Sequence, residues 1–461
     1  MLHSTVVINV AGLNRSLLGE HSPHLNRLAA RSHLRRLKPV LPAVTCSVQS
    51  SMLTGLPVSE HGIVGNGWYD RDRAEVHFWK QSNRLVQGEK VWDAAKKRDD
   101  SFTCCNMFWW YNMYSNADYT VTPRPQYKAD GRKIPDIHTH PPELRFSLQE
   151  KLGQFPLFNF WGPASSIVSS QWIAEASMMT HDTFNPTLML IYLPHLDYAL
   201  QKLGPEHADI SGHVREIDNV VGDLIDFFDQ KETRIILLSE YGIEPVDSAI
   251  FINRFLREQG GLSVREESGG ELLDAGASDA FAVVDHQIAH VYIKHHQDIP
   301  RHQELLSQHP GVDRVLDRDE QKAFEIDHPH AGELVLIAKT RHWFTYDYWL
   351  DDARAPDFAR TVDIHRKPGY DPRELFLDPR PRMLWTKARI AGELLKKKLG
   401  FRTLMDVIPL DTSLVKGSHG RIDQPPEVMP VLMTSLPIDH LPEEIPCTSV
   451  RDVILSHLFD E

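Results

Sequence analysis

Cysteine is scarce in this chain, with four in 461 residues. Cys104 and Cys105 are adjacent and Cys46 and Cys447 stand alone, so there is neither a disulfide framework nor a CxxC zinc pattern. Positive charge is also in deficit. Fifty Lys and Arg face 63 Asp and Glu, a formal net charge of −13. That balance argues against binding driven by neutralising nucleic-acid phosphates, and no nucleic-acid partner is expected. No run reaches the ~18 apolar residues of a membrane span. The N-terminus lacks the charged region and apolar stretch of a signal peptide. No internal repeat and no low-complexity tract is visible. With thiols expected to be reduced and no export signal, a cytoplasmic protein is the expectation.

What is present suits a large folded protein. Ten Trp, twelve Tyr and nineteen Phe, within 41% hydrophobic residues, give ample surface to bury. At roughly 100–200 residues per domain, the length allows two to four domains or one large α/β unit with insertions. Thr5 to Val10 is a β-branched apolar run of the kind buried on both faces of a parallel sheet. Leu188 to Leu193 and Arg234 to Ser239 read the same way. Between them a 3.6-residue period through Ile210, Val214, Ile217, Val221, Leu224, Ile225 and Phe228 predicts a long helix. Strand–helix–strand order predicts a parallel crossover. A further strand is expected over Leu37 to Val44, a helix from Pro23, later strands near 289–293 and 333–338, and a last helix from Val450 to Phe459. The fold expected is α/β: a mostly parallel sheet with helices on both faces, plus cap insertions. The expected division is core at 1–99, a cap insertion at 100–186, core at 187–340, a second insertion at 341–416 and a core segment at 417–461.

In open α/β sheets ligands bind beyond the carboxyl ends of the strands. The residues there are Asn9, Ala11 and Gly12, then Thr45, then Asp197 with Gln201 four residues on, then Glu240 and Tyr241. Gly417-Ser418-His419-Gly420 adds a His in a glycine-flanked loop. Such a set places oxygens and an imidazole around a metal or an anion, beside a hydroxyl. Each has a bland alternative. Thr45 can be an ordinary strand-end Thr, Asn66-Gly67 a turn pair, Asp197 a cap, and Gln201 a helix-surface residue. Phe108-Trp109-Trp110-Tyr111 reads more readily as core than as a stacking wall. His286 and His290 have metal-ligand spacing for a helix, but the following Val-Tyr-Ile favours a strand and a structural role. His365, Arg366 and Lys367 lie in a charged loop that is solvated by default, though its cations can clamp phosphate.

The order of these segments resembles the nucleotide pyrophosphatase/phosphodiesterase branch of the alkaline phosphatase superfamily. Val6 to Leu13 resembles its first strand and turn, and His21 to Leu28 the helix start after it. Pro42-Ala43-Val44-Thr45 with Met52-Leu53-Thr54-Gly55 resembles the nucleophile motif. His61 to Asn66 with Tyr69-Asp70 resembles the phosphate-binding segment, and Asp197 with Gly204-Pro205 a metal-ligand segment. Glu240-Tyr241-Gly242 sits where the family has Asp-His-Gly.

The resemblance implies a metal-dependent hydrolase of a small organic phosphate ester or anhydride. Thr45 would be the nucleophile, and Asn66 would bind the phosphoryl oxygen. Asp197, Gln201, Glu240 and His419 would be the metal set, and Trp68, Tyr69, Tyr241, Trp109, Trp110, His365 and Arg366 would contact substrate. One or two divalent ions (zinc, manganese or magnesium) would be the cofactor. The metal set departs from the family at four places: Ala11 replaces an Asp, Gln201 a His, Glu240 an Asp and Tyr241 a His. Two alternatives follow. One is a catalytically silent relative that binds a phosphorylated metabolite or a partner. The other is a phosphonate hydrolase or phosphoryl transferase. The oligomeric state is left open.

Overall fold

The computed structural model describes residues 2–378, 383–399, 401, 403–437 and 441–460. Two sheets organise them. In chain order their strands are β1 (Thr5–Val10), β2 (His33–Lys38), β3 (Cys104–Met107), β4 (Tyr119–Pro123), β5 (Ile137–His140), β6 (Leu188–Leu193), β7 (Arg234–Leu238), β8 (Ala280–Asp285), β9 (Ile288–Ile293), β10 (Val312–Leu316), β11 (Leu334–Ala338), β12 (Val431–Thr434) and β13 (Glu444–Pro446). Among the described residues the larger sheet has nine strands in the order β13-β2-β12-β7-β1-β6-β3-β4-β5. All run the same way except β12 and β5, which are antiparallel to their neighbours. The fold is α/β, with a large, mostly parallel central sheet.

Every residue of β1 and β6 is buried, as their unbroken apolar runs require. Two groups of helices cover this sheet. Helices α1 (Pro23–Ala30), α4 (Ile167–Phe184) and α5 (His195–Leu203) pack around α6 (Ile210–Gln230). Helices α2 (Thr45–Thr54) and α3 (Val91–Arg98) pack against α7 (Val450–Phe459). Helix α6 buries Ile210, Val214, Ile217, Val221, Leu224, Ile225 and Phe228, the stripe its periodicity predicts.

Three expectations are corrected. The second strand is His33–Lys38, not Leu37 to Val44. Pro39 and Pro42 end it, and its charged residues, half-buried near the sheet edge, hide it from a hydrophobicity reading. Residues 100–186 are not a cap: β3, β4 and β5 extend the main sheet beyond β6. These strands are short, and Pro and polar residues surround them. Within 187–340, strands β8 to β11 leave the main sheet and form a four-stranded antiparallel sheet in the order β8-β9-β11-β10. The expected segments 341–416 and 417–461 also include residues 379–382, 400, 402, 438–440 and 461, which lie outside the described residues.

The small sheet delivers its β8–β9 turn, Asp285 to Gln287, to the rim of the large one. Gln287 N donates to His419 O at 3.0 Å, and Tyr370 N donates to Val284 O at 3.0 Å. All four cysteines are buried as free thiols. Among the described residues no helix is long and apolar enough to cross a membrane.

Candidate active site

Strands β1, β6 and β7 are adjacent and in register, Asn9 pairing with both Tyr192 and Leu238. Residues just past their carboxyl ends are therefore forced together. Thr45 reaches the same place as the first residue of helix α2, not as the strand-end residue expected. All ten residues of α2 are buried, and its leading N–H groups need partners from outside. Asn66 supplies one, its Oδ1 accepting from Cys46 N at 3.0 Å. Asn66 is itself fixed by Asp285, whose carboxylate accepts from Asn66 N at 2.7 Å and from Asn66 Nδ2 at 3.1 Å.

The Thr45 and Tyr241 hydroxyl oxygens lie 3.1 Å apart. Tyr241 also donates to Asp197 Oδ1 at 3.2 Å, and Gln201 Nε2 donates to Asp197 Oδ2 at 2.8 Å. Gln201 Oε1 in turn accepts from the Tyr370 hydroxyl at 2.9 Å. His419 Nε2 is 3.6 Å from Asp197 Oδ1 and has no hydrogen-bond partner. Its Nδ1 bonds to Ala43 O at 2.7 Å, which fixes the ring. Four rings form a column: Tyr241 on His419 at 3.6 Å, His419 on His286 at 3.8 Å, and His286 on Tyr370 at 3.7 Å. The close approach of the Gly417 loop depends on its lack of a side chain, because a Cβ there would stand 2.3 Å from Leu200 O of α5.

Glu240 is completely buried. Its Oε1 accepts from Asn9 Nδ2 at 2.7 Å and from Gln49 Nε2, while Oε2 has no partner. Two amide donors thus face a carboxylate that the family pattern would give to a cation. Burial pushes Glu240 up to about 8, against the pull of the Gln49 and Asn9 hydrogen bonds. Burial raises Asp197 to about 7, with Gln201 and Tyr241 opposing. Burial, and then His286 beside it, holds His419 well below the ordinary imidazole range, so its ring is neutral with a free lone pair.

The structure therefore brings together Thr45, Asn66, Asp197, Gln201, Glu240, Tyr241 and His419. It adds Asn9, Gln49, Asp285, His286 and Tyr370, whose parts arise only from tertiary contact. The remaining expected substrate contacts do not join this network. Trp68 stacks on His330 at 4.8 Å, and Tyr69 packs edge-on against Phe281 at 5.0 Å. Trp109 is buried in the main core, and Trp110 packs on Trp79 at 5.0 Å, although Trp110 N donates to Gln49 Oε1 at 2.7 Å. His365 bonds to Phe78 O at 3.2 Å, and Arg366 pairs with Asp357 at the surface at 2.7 Å. Lys367 does not face solvent: it is buried between Asp371 at 2.8 Å and Glu374 at 2.7 Å. His290 is structural, as expected, donating to Val64 O at 2.9 Å and accepting from Gly332 N at 3.2 Å. His286 stands in the column, where the β8–β9 turn places it, with its Nδ1 2.7 Å from Asp285 Oδ1.

Residues 5–371 match the model of the type I phosphodiesterase/nucleotide pyrophosphatase family. The chain belongs to this family. An uncharacterised pyrophosphatase/phosphodiesterase of Schizosaccharomyces pombe is 26% identical over 254 residues, which span 52% of this chain and 45% of that protein. The chain thus matches less than half the length of that curated relative. A phosphonoacetate hydrolase from Sinorhizobium meliloti, solved with phosphonoformate, is 14% identical with a TM-score of 0.62, over 99% of this chain and 96% of that one. Murine ectonucleotide pyrophosphatase/phosphodiesterase 5, solved with AMP, is 12% identical with a TM-score of 0.59, over 99% and 95%. These structures share the alkaline-phosphatase-like fold.

The donor set at the strand ends fits one cation better than two. Asp197 Oδ1 and the unpartnered His419 Nε2 stand 3.6 Å apart. Gln201 presents its amide N–H groups to Asp197, so in this geometry it holds the carboxylate and is not a ligand. On the Thr45 side, Ala11 offers no donor, Tyr241 offers a phenol, and Glu240 is engaged by amides. That half does not fit a second ion.

Proposed function

We propose that the chain hydrolyses a phosphodiester or pyrophosphate bond in a small organic phosphate, with Thr45 as nucleophile. The observation that carries this reading is the position of the Thr45 hydroxyl: at the amino end of buried helix α2, 3.1 Å from Tyr241, in the pocket of Asp197, Glu240 and His419. A helix amino end favours an anion, so a phosphoryl group is drawn to the nucleophile. The Thr45 oxygen bonds to phosphorus as the bond to the leaving oxygen breaks. Glu240, held by amides in place of a cation, takes the Thr45 proton when ionised, the form that dominates above about pH 8, and the leaving oxygen takes a proton from solvent. Water then attacks the phosphothreonine and breaks its P–O bond, Glu240 returns the proton to the Thr45 oxygen, and the proton lost by the water passes to solvent. Asp197 and His419 would hold one divalent ion, which would supply positive charge for the phosphoryl oxygen. Asn66 fixes the start of α2 and lies beside the oxygen position.

The test is hydrolysis of a nitrophenyl phosphodiester, with phosphonoacetate assayed in parallel, across magnesium, manganese and zinc. Activity in the wild type that falls on the order of 10³-fold in Thr45→Ala supports the proposal. Equal activity in the two proteins overturns the nucleophile assignment. A second reading is favoured by the ring column and by the amide donors on Glu240: a silent relative that keeps the pocket and binds a phosphorylated metabolite. It predicts no turnover with any ion, and binding of a phosphate monoester that is weakened in His419→Ala.

A further inference from the structure

A second convergence of ligand atoms lies on the other side of helix α5. His195 is the first residue of α5, and its side chain is 3% exposed. His213 and Glu216 are three residues apart on α6 and so share one face of it. His195 Nε2 is 3.2 Å from His213 Nδ1 and 3.0 Å from Glu216 Oε2, and His213 Nδ1 is 3.1 Å from Glu216 Oε2. The three atoms form a nearly equilateral triangle. Around a tetrahedral zinc with bonds of about 2.0–2.1 Å, neighbouring ligand atoms stand about 3.3 Å apart, so the triangle need open by only a few tenths of an ångström. Two imidazole nitrogens facing each other can share only one proton, and a carboxylate oxygen beside both adds further lone pairs. A cation at the centre satisfies all three. Among the described residues no other group of three His, Cys, Asp or Glu brings its ligand atoms within 4.8 Å of one another.

We propose that His195, His213 and Glu216 form a binding site for a divalent transition-metal ion, of which zinc is the best match to two imidazoles and a carboxylate. The partial exposure of His213 and Glu216, 33% and 47% for their side chains, leaves the fourth position open to solvent. This site is separate from the Thr45 pocket. Asp197, two residues along, turns to Tyr241, Gln201 and His419 instead. An ion here clamps the start of α5 onto α6, and α5 is the helix that carries Asp197 and Gln201.

The experiment is calorimetric titration of zinc into chelator-stripped full-length protein, with cobalt absorption as a second readout. It is run on the wild type, on His419→Ala, and on the double variant His213→Ala/Glu216→Gln. The double variant changes two partly exposed residues, and circular dichroism checks its fold. His419→Ala silences the pocket without touching the proposed site. Zinc binding that persists in His419→Ala and weakens at least tenfold in the double variant supports the site. Unchanged affinity and stoichiometry in the double variant, or no zinc binding by His419→Ala, overturns it. Neither result bears on whether Thr45 is a nucleophile.

Discussion

The Tyr241 hydroxyl stands 3.1 Å from the Thr45 hydroxyl and donates to Asp197 at 3.2 Å, so one phenol spans the proposed nucleophile and the proposed cation ligand. Phenylalanine keeps the ring and its stacking on His419 but loses both contacts. Tyr241→Phe is expected to lower kcat roughly ten- to hundredfold, through misplacement of the Thr45 oxygen, with little change in KM or melting temperature. Steady-state kinetics beside a thermal melt check this. A large fall in melting temperature with unchanged kcat would mean that the hydroxyl serves only the fold.

Gly417 is where the His419 loop meets α5 most closely. A methyl group there meets the Leu200 carbonyl oxygen at 2.3 Å, a backbone atom that cannot swing away. Gly417→Ala is expected to cost about 1–3 kcal/mol of stability and to displace His419 from Asp197. Urea unfolding gives the first, and loss of activity at added divalent ion gives the second. Gly19, with nothing within 4 Å of its would-be Cβ, is the control.

The chain bends past the active site on a buried ionic lattice. Lys367 lies between Asp371 and Glu374, while Arg373 binds Asp347 through two nitrogens at 2.6 and 2.8 Å and Asp371 at 2.7 Å. Removing one cation strands carboxylates in a dry interior. Lys367→Met is expected to lose about 3–5 kcal/mol in urea unfolding. Arg366→Met, one residue earlier at the surface, is expected to lose less than about 1 kcal/mol.

His457 provides a pH test far along the sequence from the active-site segments. Burial lowers it to about 4, and its Nε2 accepts from Leu436 N at 3.4 Å while Nδ1 pairs with Val453 O at 2.8 Å. The unfolded chain protonates it near 6.5. Between those values the unfolded state binds the extra proton, so stability is full above about 6.5 and falls as pH drops towards 4. The loss from this one group is up to about 3 kcal/mol. A His457→Gln variant should show a flatter stability–pH profile in that window, by about 1.4 kcal/mol per pH unit. Profiles of equal slope would show that the ring is not neutral in the folded protein.

Legibility in the sequence follows from how local each signal is. β1, β6 and α7 were readable to the residue because each is an apolar run or stripe with clear stops. β2 and β3 to β5 were not, because their place in the sheet is set by pairing partners rather than by their own hydrophobicity. At the candidate site, Asp197 and Glu240 could be listed from their positions after strands, His419 from its glycine-flanked loop, and Thr45 only through a strand placed too late in the sequence. Asn9 and Gln49 could not be assigned to Glu240, since an amide that answers a buried carboxylate looks like any other amide until the chain is folded. The place of His286 beside His419 was hidden for a related reason: the turn that carries it is presented by a separate sheet.

His419 is held by the carbonyl of Ala43 across a sequence separation of 376. During synthesis on a ribosome, helix α2 therefore emerges long before the imidazole that packs beside it. On the proposed reading, a chain cut short anywhere ahead of that loop lacks the imidazole and turns over no phosphate ester, however well its sheet has formed.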